Sequence, residues 1–451
     1  MAKIETRDIS DFLNTDNKEY ALDVIENRAI PSVIDGFKPT ARKVIYTADT
    51  IWKNGKEPSM KVFQLAGRVA SDAYYHHGDA SLSQTITVMG QDFKNSMPLL
   101  DGKGQYGTLR DPKAGAPRYI GSKLSPNFRL LYKDFELLEN QVTEGVVVEP
   151  KYFLPIIPTI IVNGTSGIAT GFASNILNRD PVNVIDACVA VLKGKKMPQL
   201  LPWIKQFDGV WVRDDENPNK WHIYGKYEVT NKSTVKIEEI TPNWTFEDYE
   251  KHLKSLKDNG TITDYDDVGV KGSVAYIVKF KRADLEEYVK KDKLCDLLKL
   301  RTSETENLTT LDENNKLKIF DSVEDIVRYF VAFRLPWYGK RKDYIIKQLE
   351  RECTILENKI RFIKSIITKK LNINNRPKKD IVADLESMKF AAVDGGYDYL
   401  LGMPVGTLTK EKYEQLQSQL AEKTEKTENA RMLEPKSMYL DDLKELKKQI
   451  S

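Results

Sequence analysis

A chain of 451 residues is too long for one hydrophobic core and is expected to divide into two to four domains. Its 41% hydrophobic and 30% charged residues suit a globular protein with a charged surface, and no run is long enough to span a bilayer. The net charge of only +3 excludes a polybasic chain, so any nucleic-acid site must be a local patch.

Residues 17–53 read as two helices around a turn: Pro31 ends the first, Asp35-Gly36 turns the chain, and Pro39 suits the first turn of the second. The second helix puts Val44, Ile45, Ala48, Ile51 and Trp52 on one face, with Lys38, Arg42 and Lys43 around its start. Val62, Leu65, Ala66 and Val69 then repeat at helical spacing, "AYYHHGD" interrupts, and Leu82, Ile86 and Met89 resume it with Asp79 as N-cap. This helix-turn-helix pattern is open to DNA binding or to an ordinary helical pair in a core. Residues 98–175 are rich in Gly and Pro and hold the apolar runs "FLPIIPTIIV" and "GIATGF". From 205 to 282 the strand-like segments "WHIYGKYEV", "STVKIEEI" and "SVAYIVKF", with the helical "WTFEDYEKHLKSL" among them, suggest a separate α+β domain. After 325, Ile345, Leu349, Cys353, Leu356, Ile360, Ile363 and Ile367 form a heptad-like seam. Tyr439, Leu443, Leu446 and Ile450 supply its partner in an antiparallel pair. Residues 372–436 would be a small lobe at the far end, with "AEKTEKTENA" a charged loop or solvated helix inside it.

Several familiar motifs fail on inspection. "GKGQYG" matches a dinucleotide fingerprint, but "TLRDPKAGAP" cannot start the helix that such a site needs, so its glycines are expected to permit a tight loop. "NGTSGIATG" lacks the Lys-Ser/Thr of a P-loop, and "YHHGD" finds no Cys/His cluster to complete a zinc set. His76 and His77 are instead expected to reach phosphate from a helix-helix turn. Four histidines without a nucleophile elbow assemble no Ser/His/Asp triad. Cys188, Cys295 and Cys353 are odd in number and far apart, which points to reduced thiols in an intracellular protein. Tyr119 is open to an ordinary packing role, but Arg110, Lys113, Arg118 and Lys123 surround it in the sequence. Cations around a phenol would hold a phosphate and favour the phenolate.

"RAIPSVIDGFKPTARKVIY", "YHHGD", "PLLDGKGQYGT", "APRYI" and "PIIPTIIVNGTSGIATGF" occur in the order used by the DNA breakage-reunion part of type IIA DNA topoisomerases. "IEEITPNWT", "KRKDYIIKQLERECTILENKIRFI" and "YDYLLGMPVGTLTKEK" continue the resemblance, which covers roughly residues 20 to 450. The start at Met just before this region makes the chain most similar to the separately encoded medium subunits of T-even-type phage enzymes.

The resemblance implies an α+β multidomain fold. It would comprise an N-terminal arm (1–20), a winged-helix (helix-turn-helix) DNA-cleavage domain (21–155) and an α/β tower domain (156–325). A long coiled-coil helix (326–372), a helical exit-gate dimerisation lobe (373–436) and a returning coiled-coil helix (437–451) would follow. It implies Tyr119 as nucleophile, Arg118 as its phosphate-binding neighbour and Arg28 near the scissile phosphate. It implies that Lys38, Arg42, Lys43 and His77 bind DNA and that Ile168 wedges between base pairs; His76 in the turn and Arg110, Lys113 and Lys123 around Tyr119 are expected DNA contacts from their own setting. Ala41 in "KPTARK" departs from the histidine of the bacterial "KPVHRR". The implied partners are double-stranded DNA, a second copy joined through the exit-gate lobe, and a large subunit carrying the ATPase and Toprim parts. That large partner would supply the Mg²⁺ ligands and use the ATP. No C-terminal wrapping extension is seen, so gyrase-like negative supercoiling is not expected. An architectural DNA-binding protein would explain the helix-turn-helix and the wedge without a covalent step. A tyrosine recombinase would need an Arg…His-x-x-Arg pattern that is not found.

Overall fold

Pro39 occupies the first turn of helix α1 (Pro39–Ile51), where its missing N–H costs nothing, and Val44, Ile45 and Ala48 are fully buried on one face. The computed structural model describes residues 8–270, 272–404 and 409–450. Residues 1–7 of the expected N-terminal arm, Lys271, residues 405–408 of the "YDYLLGMPVGTLTKEK" stretch, and Ser451 lie outside the described residues. After α1 come strand β1 (Met60–Lys61), helix α2 (Val62–Asp72) and helix α3 (Asp79–Met89). The apolar positions seen in the sequence are the buried ones, but the N-cap of α3 is Gly78 and Asp79 is its first helical residue. Strands β2 (Leu100–Lys103) and β3 (Gly121–Leu124) then close a three-stranded antiparallel sheet with β3 in the centre. Its register sets Met60 opposite Ser122 and Leu100 opposite Leu124. The β2–β3 loop carries Arg118 and Tyr119.

Asp35 organises this region. It is fully buried, and its carboxylate accepts hydrogen bonds from Arg42 Nε at 2.7 Å and Nη2 at 3.0 Å. The same carboxylate accepts from the amides of Phe37 at 3.0 Å and Phe153 at 3.1 Å. Its backbone carbonyl accepts from Tyr132 Oη at 3.0 Å and Thr159 Oγ1 at 2.8 Å. A buried carboxylate is tolerated only when its lone pairs are used in this way.

Beyond residue 155 a hairpin of β4 (Thr165–Ile168) and β5 (Ala173–Ile176) projects from the same region. The β-rich segment follows. A three-stranded antiparallel sheet joins Val210–Arg213, Lys220–Tyr224 and Arg301–Thr305. A four-stranded sheet is ordered Lys226–Asn231, Thr234–Glu239, Tyr276–Lys279, Asp264–Asp267. Helix Phe246–Asp258 adds Tyr249 and Leu253 to that sheet's own core with Val235, Ile237 and Val278.

The chain divides into two compact units, one of residues up to Phe333 together with Asp442 onward, the other Arg334–Asp441. The β-rich segment therefore has its own core without being a separate unit. Helix α4 (Val323–Ile367) runs on into the second unit. There it pairs antiparallel with Lys410–Met432: Glu350 bonds Arg431 at 2.7 Å, and Cys353 lies 3.9 Å from Thr427 Oγ1. "AEKTEKTENA", expected as a loop or solvated helix within an end lobe, is thus part of a helix lying along α4. The seam's partner there is thus Lys410–Met432 and not, as expected, the last helix, Pro435–Ile450, whose Tyr439 stacks at 4.5 Å on Tyr338, ahead of the seam. A small core of Phe362, Leu371, Leu385, Phe390 and Leu400 gathers residues 362–400.

Asp35→Ala is expected to destabilise the chain by about 3–5 kcal/mol, because it strands the Arg42 guanidinium in the interior. Urea unfolding of the purified chain measures this, and a loss under about 1 kcal/mol would contradict the hub.

Candidate active site and nucleic-acid interface

The β2–β3 loop ends in a turn over Pro117–Tyr119, with the Tyr119 amide donating to the Ala116 carbonyl at 2.8 Å. The next residue, Ile120, is 2% exposed, whereas the Tyr119 side chain is 70% exposed. The loop also caps α2. The amides of Val62 and Phe63, which have no partner within the helix, donate to the carbonyls of Ile120 at 3.1 Å and Pro117 at 3.3 Å. Lys61 Nζ donates to the Tyr119 carbonyl at 2.7 Å, and the Arg118 guanidinium lies 5.5 Å from the Tyr119 ring centroid. Arg118 and Lys61 are both exposed, Arg118 beside the Tyr119 ring and Lys61 on its backbone carbonyl, so the loop presents two cations suited to a phosphate.

The "GKGQYG" glycines support this loop. A Cβ on Gly102 would lie 2.7 Å from the Tyr106 ring, so only glycine lets the ring lie flat on the strand. Burial pushes the Tyr106 phenol pKa up and keeps it a donor, to the Gly121 carbonyl at 2.9 Å.

A second cluster gathers Arg28, Lys38 and Ile168. Arg28 is exposed on a π-helical turn, Ile25–Ala29, with no ion-pair partner among the described residues. Ile168 is 87% exposed on the β4–β5 hairpin. Gly167 explains how the two meet: a Cβ there would fall 2.0 Å from the Ala29 carbonyl and 3.0 Å from Lys38 Nζ. Lys38 Nζ donates to the Ser166 carbonyl at 2.6 Å, and burial lowers the pKa of its ammonium. A cleft of about 780 Å³ runs from Lys38, Ala41 and Ser166 across α3 at Gln84 and Val88 to Lys94 and Asn243. A second cleft of about 470 Å³ shares Gln84, Val88 and Lys94 and ends at Pro117 in the tyrosine loop. The exposed face of α3 thus lies between the two clusters.

Three of the expected DNA contacts are corrected. Arg42 is buried on Asp35. Lys43 is half-buried, with Nζ on the Ala73 carbonyl at 2.6 Å and on Glu149 at 2.9 Å. Arg110 is 5% exposed and bonded to Glu239 at 2.6 Å. Each of these cations is already paired with a carboxylate of the protein, and Arg42 and Arg110 are buried as well. Lys123 is half-buried and donates to the Gly55 carbonyl at 3.0 Å. Lys113, His76 and His77 are exposed; His76 stands 4.0 Å from Glu144, and His77 packs edge-on against Tyr75. Sequence reasoning missed Lys61, although a lysine opening the first helix of a helix-turn-helix was a usable signal. It also missed the fully buried Arg179–Glu306 pair at 2.6 Å, which ties the residues after β5 to the β-rich segment. Nothing local marks that pair.

Among the described residues, no group of three or more His, Cys, Asp or Glu side chains is placed to hold a metal ion. The side chains flanking Tyr119 are cations and do not fit a divalent metal. No helix among the described residues is long and apolar enough to cross a membrane.

The chain is a mixed helix-and-sheet protein with an exposed tyrosine beside the helix pair α2 and α3, and comparison supplies the family. Residues 28–446 match the A-subunit family of DNA gyrase/topoisomerase IV, and the chain belongs to it. It is 33% identical to the DNA topoisomerase medium subunit of Enterobacteria phage T4, over 99% of this chain and 100% of that one. It is 32% identical to the mitochondrial DNA topoisomerase 2 of Dictyostelium discoideum, over 97% of this chain but only 35% of that one. Among solved structures, the DNA-binding, cleavage and re-ligation domain of Plasmodium falciparum topoisomerase II superposes with a TM-score of 0.85. That match has 32% identity and covers 98% of this chain and 64% of that one. The chain therefore spans the whole of the phage relative and about a third of the Dictyostelium one.

Gly167→Ala is expected to push the β4–β5 hairpin off Ala29, since overpacking of this kind costs about 1–3 kcal/mol. Hydrogen exchange across residues 165–176 reads it; unchanged protection would contradict the close approach.

Proposed function

We propose that this chain is the DNA-cleavage and religation subunit of an ATP-dependent type IIA DNA topoisomerase. In this reading α1–α3 and the β1–β3 sheet form a winged-helix cleavage domain, and the β-rich segment is the tower that carries the DNA arms. Helix α4 with its partners is the coiled coil leading to an exit gate, through which two copies pair. The single observation that carries the reading is Tyr119. The residue is 70% exposed beside Arg118, on a loop pinned to α2, in a chain of this family.

The chemistry follows from the groups present. The Tyr119 oxygen attacks a backbone phosphorus, the P–O3′ bond breaks, and the phenol's proton is lost as the departing 3′ oxygen gains one. The product is a phosphodiester between Tyr119 and the 5′ end of the cut strand. It keeps the phosphoester linkage, so the 3′-hydroxyl reverses the step without a nucleotide. Arg118 and Lys61 supply positive charge where the phosphoryl oxygens gain negative charge. One Tyr119 from each of two protomers gives a staggered double-strand break through which a second duplex passes. Arg28 and Ile168 hold and bend the duplex: an exposed isoleucine on a stiff hairpin is suited to part a base step.

The phage relative's designation as a medium subunit supports a separate large partner. That partner would hold Mg²⁺, which stabilises charge at the cleaved phosphate, and would hydrolyse ATP. The site is expected to work in the cytoplasm, on DNA. A purely architectural role is disfavoured by Tyr119, since such a protein has no use for an exposed phenol among cations.

Tyr119→Phe removes one oxygen, so folding and DNA binding are expected to survive while cleavage by the complete assembly disappears. Arg118→Ala is expected to lower the cleavage rate about 10²–10³-fold, as loss of a charge-stabilising donor does. Gel assay of cleaved DNA after denaturant quenching checks both, and persistent cleavage in Tyr119→Phe would refute the reading. Ile168→Ala is expected to reduce DNA bending, read by fluorescence energy transfer between duplex ends, more than it reduces affinity. Normal bending would remove the wedge role.

A further inference from the structure

Arg110 lies in the same β2–β3 loop as Tyr119, yet its side chain leaves that region and enters the β-rich segment. Nη2 donates to Glu239 Oε1 and to the Ile240 carbonyl, both at 2.6 Å. Nη1 donates to the carbonyls of Thr241 at 2.8 Å and Trp244 at 3.1 Å. The Arg110 carbonyl in turn accepts from the Phe246 amide at 3.1 Å. Phe246 opens helix Phe246–Asp258, so this bond satisfies one of that helix's free amides. Glu239 is itself buried, and its other oxygen accepts from the Asp208 amide at 3.1 Å. The neighbouring Leu109 amide also donates to Gln206 Oε1 at 3.4 Å, and towards its ends the loop is held by its own region. Gln91 Nε2 donates to the Tyr106 carbonyl at 2.8 Å, and the Ile120 carbonyl accepts from Val62. The tyrosine loop is therefore fastened near each end to the helix-turn-helix region and in its middle to the β-rich segment.

We propose that Arg110 is a positioning residue that makes the attack geometry of Tyr119 depend on where the β-rich segment sits. The proposal rests on the reading of Tyr119 given above. DNA laid across the β-rich segment would shift the 239–246 strip, and Arg110 would carry that shift into the loop. Tyr119 then comes into line only on duplex that is correctly seated. A guanidinium fork is needed for this, because it engages one carboxylate and three carbonyls in fixed directions, which a lysine ammonium cannot do. Arg110 has no free face for phosphate, so its role separates from DNA affinity.

The test uses the full chain assembled with its large partner in the presence of Mg²⁺. Duplex affinity is measured by fluorescence anisotropy, and cleavage rate is measured at saturating duplex, well below each variant's unfolding temperature. Arg110→Met is expected to bind DNA within about threefold of wild type but to cleave about tenfold or more slowly at saturation, the cost of a misplaced reacting group. Arg110→Lys and Glu239→Gln are expected to fall between. The double variant Arg110→Met with Glu239→Gln should be no slower than Arg110→Met alone, because Glu239 acts through Arg110. If Arg110→Met does not fold, the two milder variants carry the same comparison. A folded variant that cleaves at the wild-type rate at saturation overturns the proposal, as does a loss lying wholly in affinity. A wild-type assembly that forms no covalent adduct would overturn the reading of Tyr119 and this proposal with it. A wild type that cleaves alongside an equally active Arg110→Met overturns the clasp alone.

Discussion

The buried pairing of Asp35 with Arg42 is the constraint on which the candidate site depends. It fixes the turn between the π-helical segment and α1, and Asp35 bonds directly to Phe153, Tyr132 and Thr159, all far along the chain. With that turn fixed, Lys38 at the head of α1 points at Ser166, and the Ala29 carbonyl forms the surface on which Gly167 rests. The hairpin holding Ile168 is thus aimed by a carboxylate it does not touch. Unpaired, either charge would be costly in this interior; paired and fully hydrogen-bonded, they make the turn stiff.

Two further buried Arg–Glu pairs repeat the device. Arg110 with Glu239 fastens the tyrosine loop to the β-rich segment, and Arg179 with Glu306 fastens the chain after the hairpin to it. Tyr119 and Ile168 therefore both stand on glycine-containing stretches whose neighbouring chain is fastened by buried ion pairs. Pre-organisation of this kind suits a reaction that must cut and reseal the same bond, because the 3′ end and the phosphotyrosine must stay aligned between the two steps.

Much of this was legible in the sequence where the signal was local. The helix-turn-helix appeared as apolar spacing on either side of "AYYHHGD". The exposure of Tyr119 was foreshadowed by its cationic neighbours, and the seam of α4 by its heptads. Signals failed where the deciding partner was distant. Lys43 and Arg110 were counted as DNA contacts because the sequence cannot show that Glu149 and Glu239 neutralise them, and Arg42 because its partner Asp35, seven residues before it, was read only as a turn residue. Two of those partners lie 106 and 129 residues away. The helix Lys410–Met432 was obscured for another reason. Its buried residues are only Leu416, Thr427 and Ala430, so its polar composition masked a packed face. Family membership, by contrast, rested on several collinear motifs at once, and no single distant contact could mislead it.

The central claim is that the Tyr119 oxygen becomes bonded to DNA. Its most direct test is to trap the adduct formed by the complete assembly on a duplex, digest with protease, and sequence the DNA-linked peptide by mass spectrometry. The account predicts one modified peptide, containing Arg118 to Ile120, with the 5′ phosphate on Tyr119. A DNA-linked peptide centred on another residue, such as Tyr74 or Tyr75 in the helix-helix turn, would contradict it.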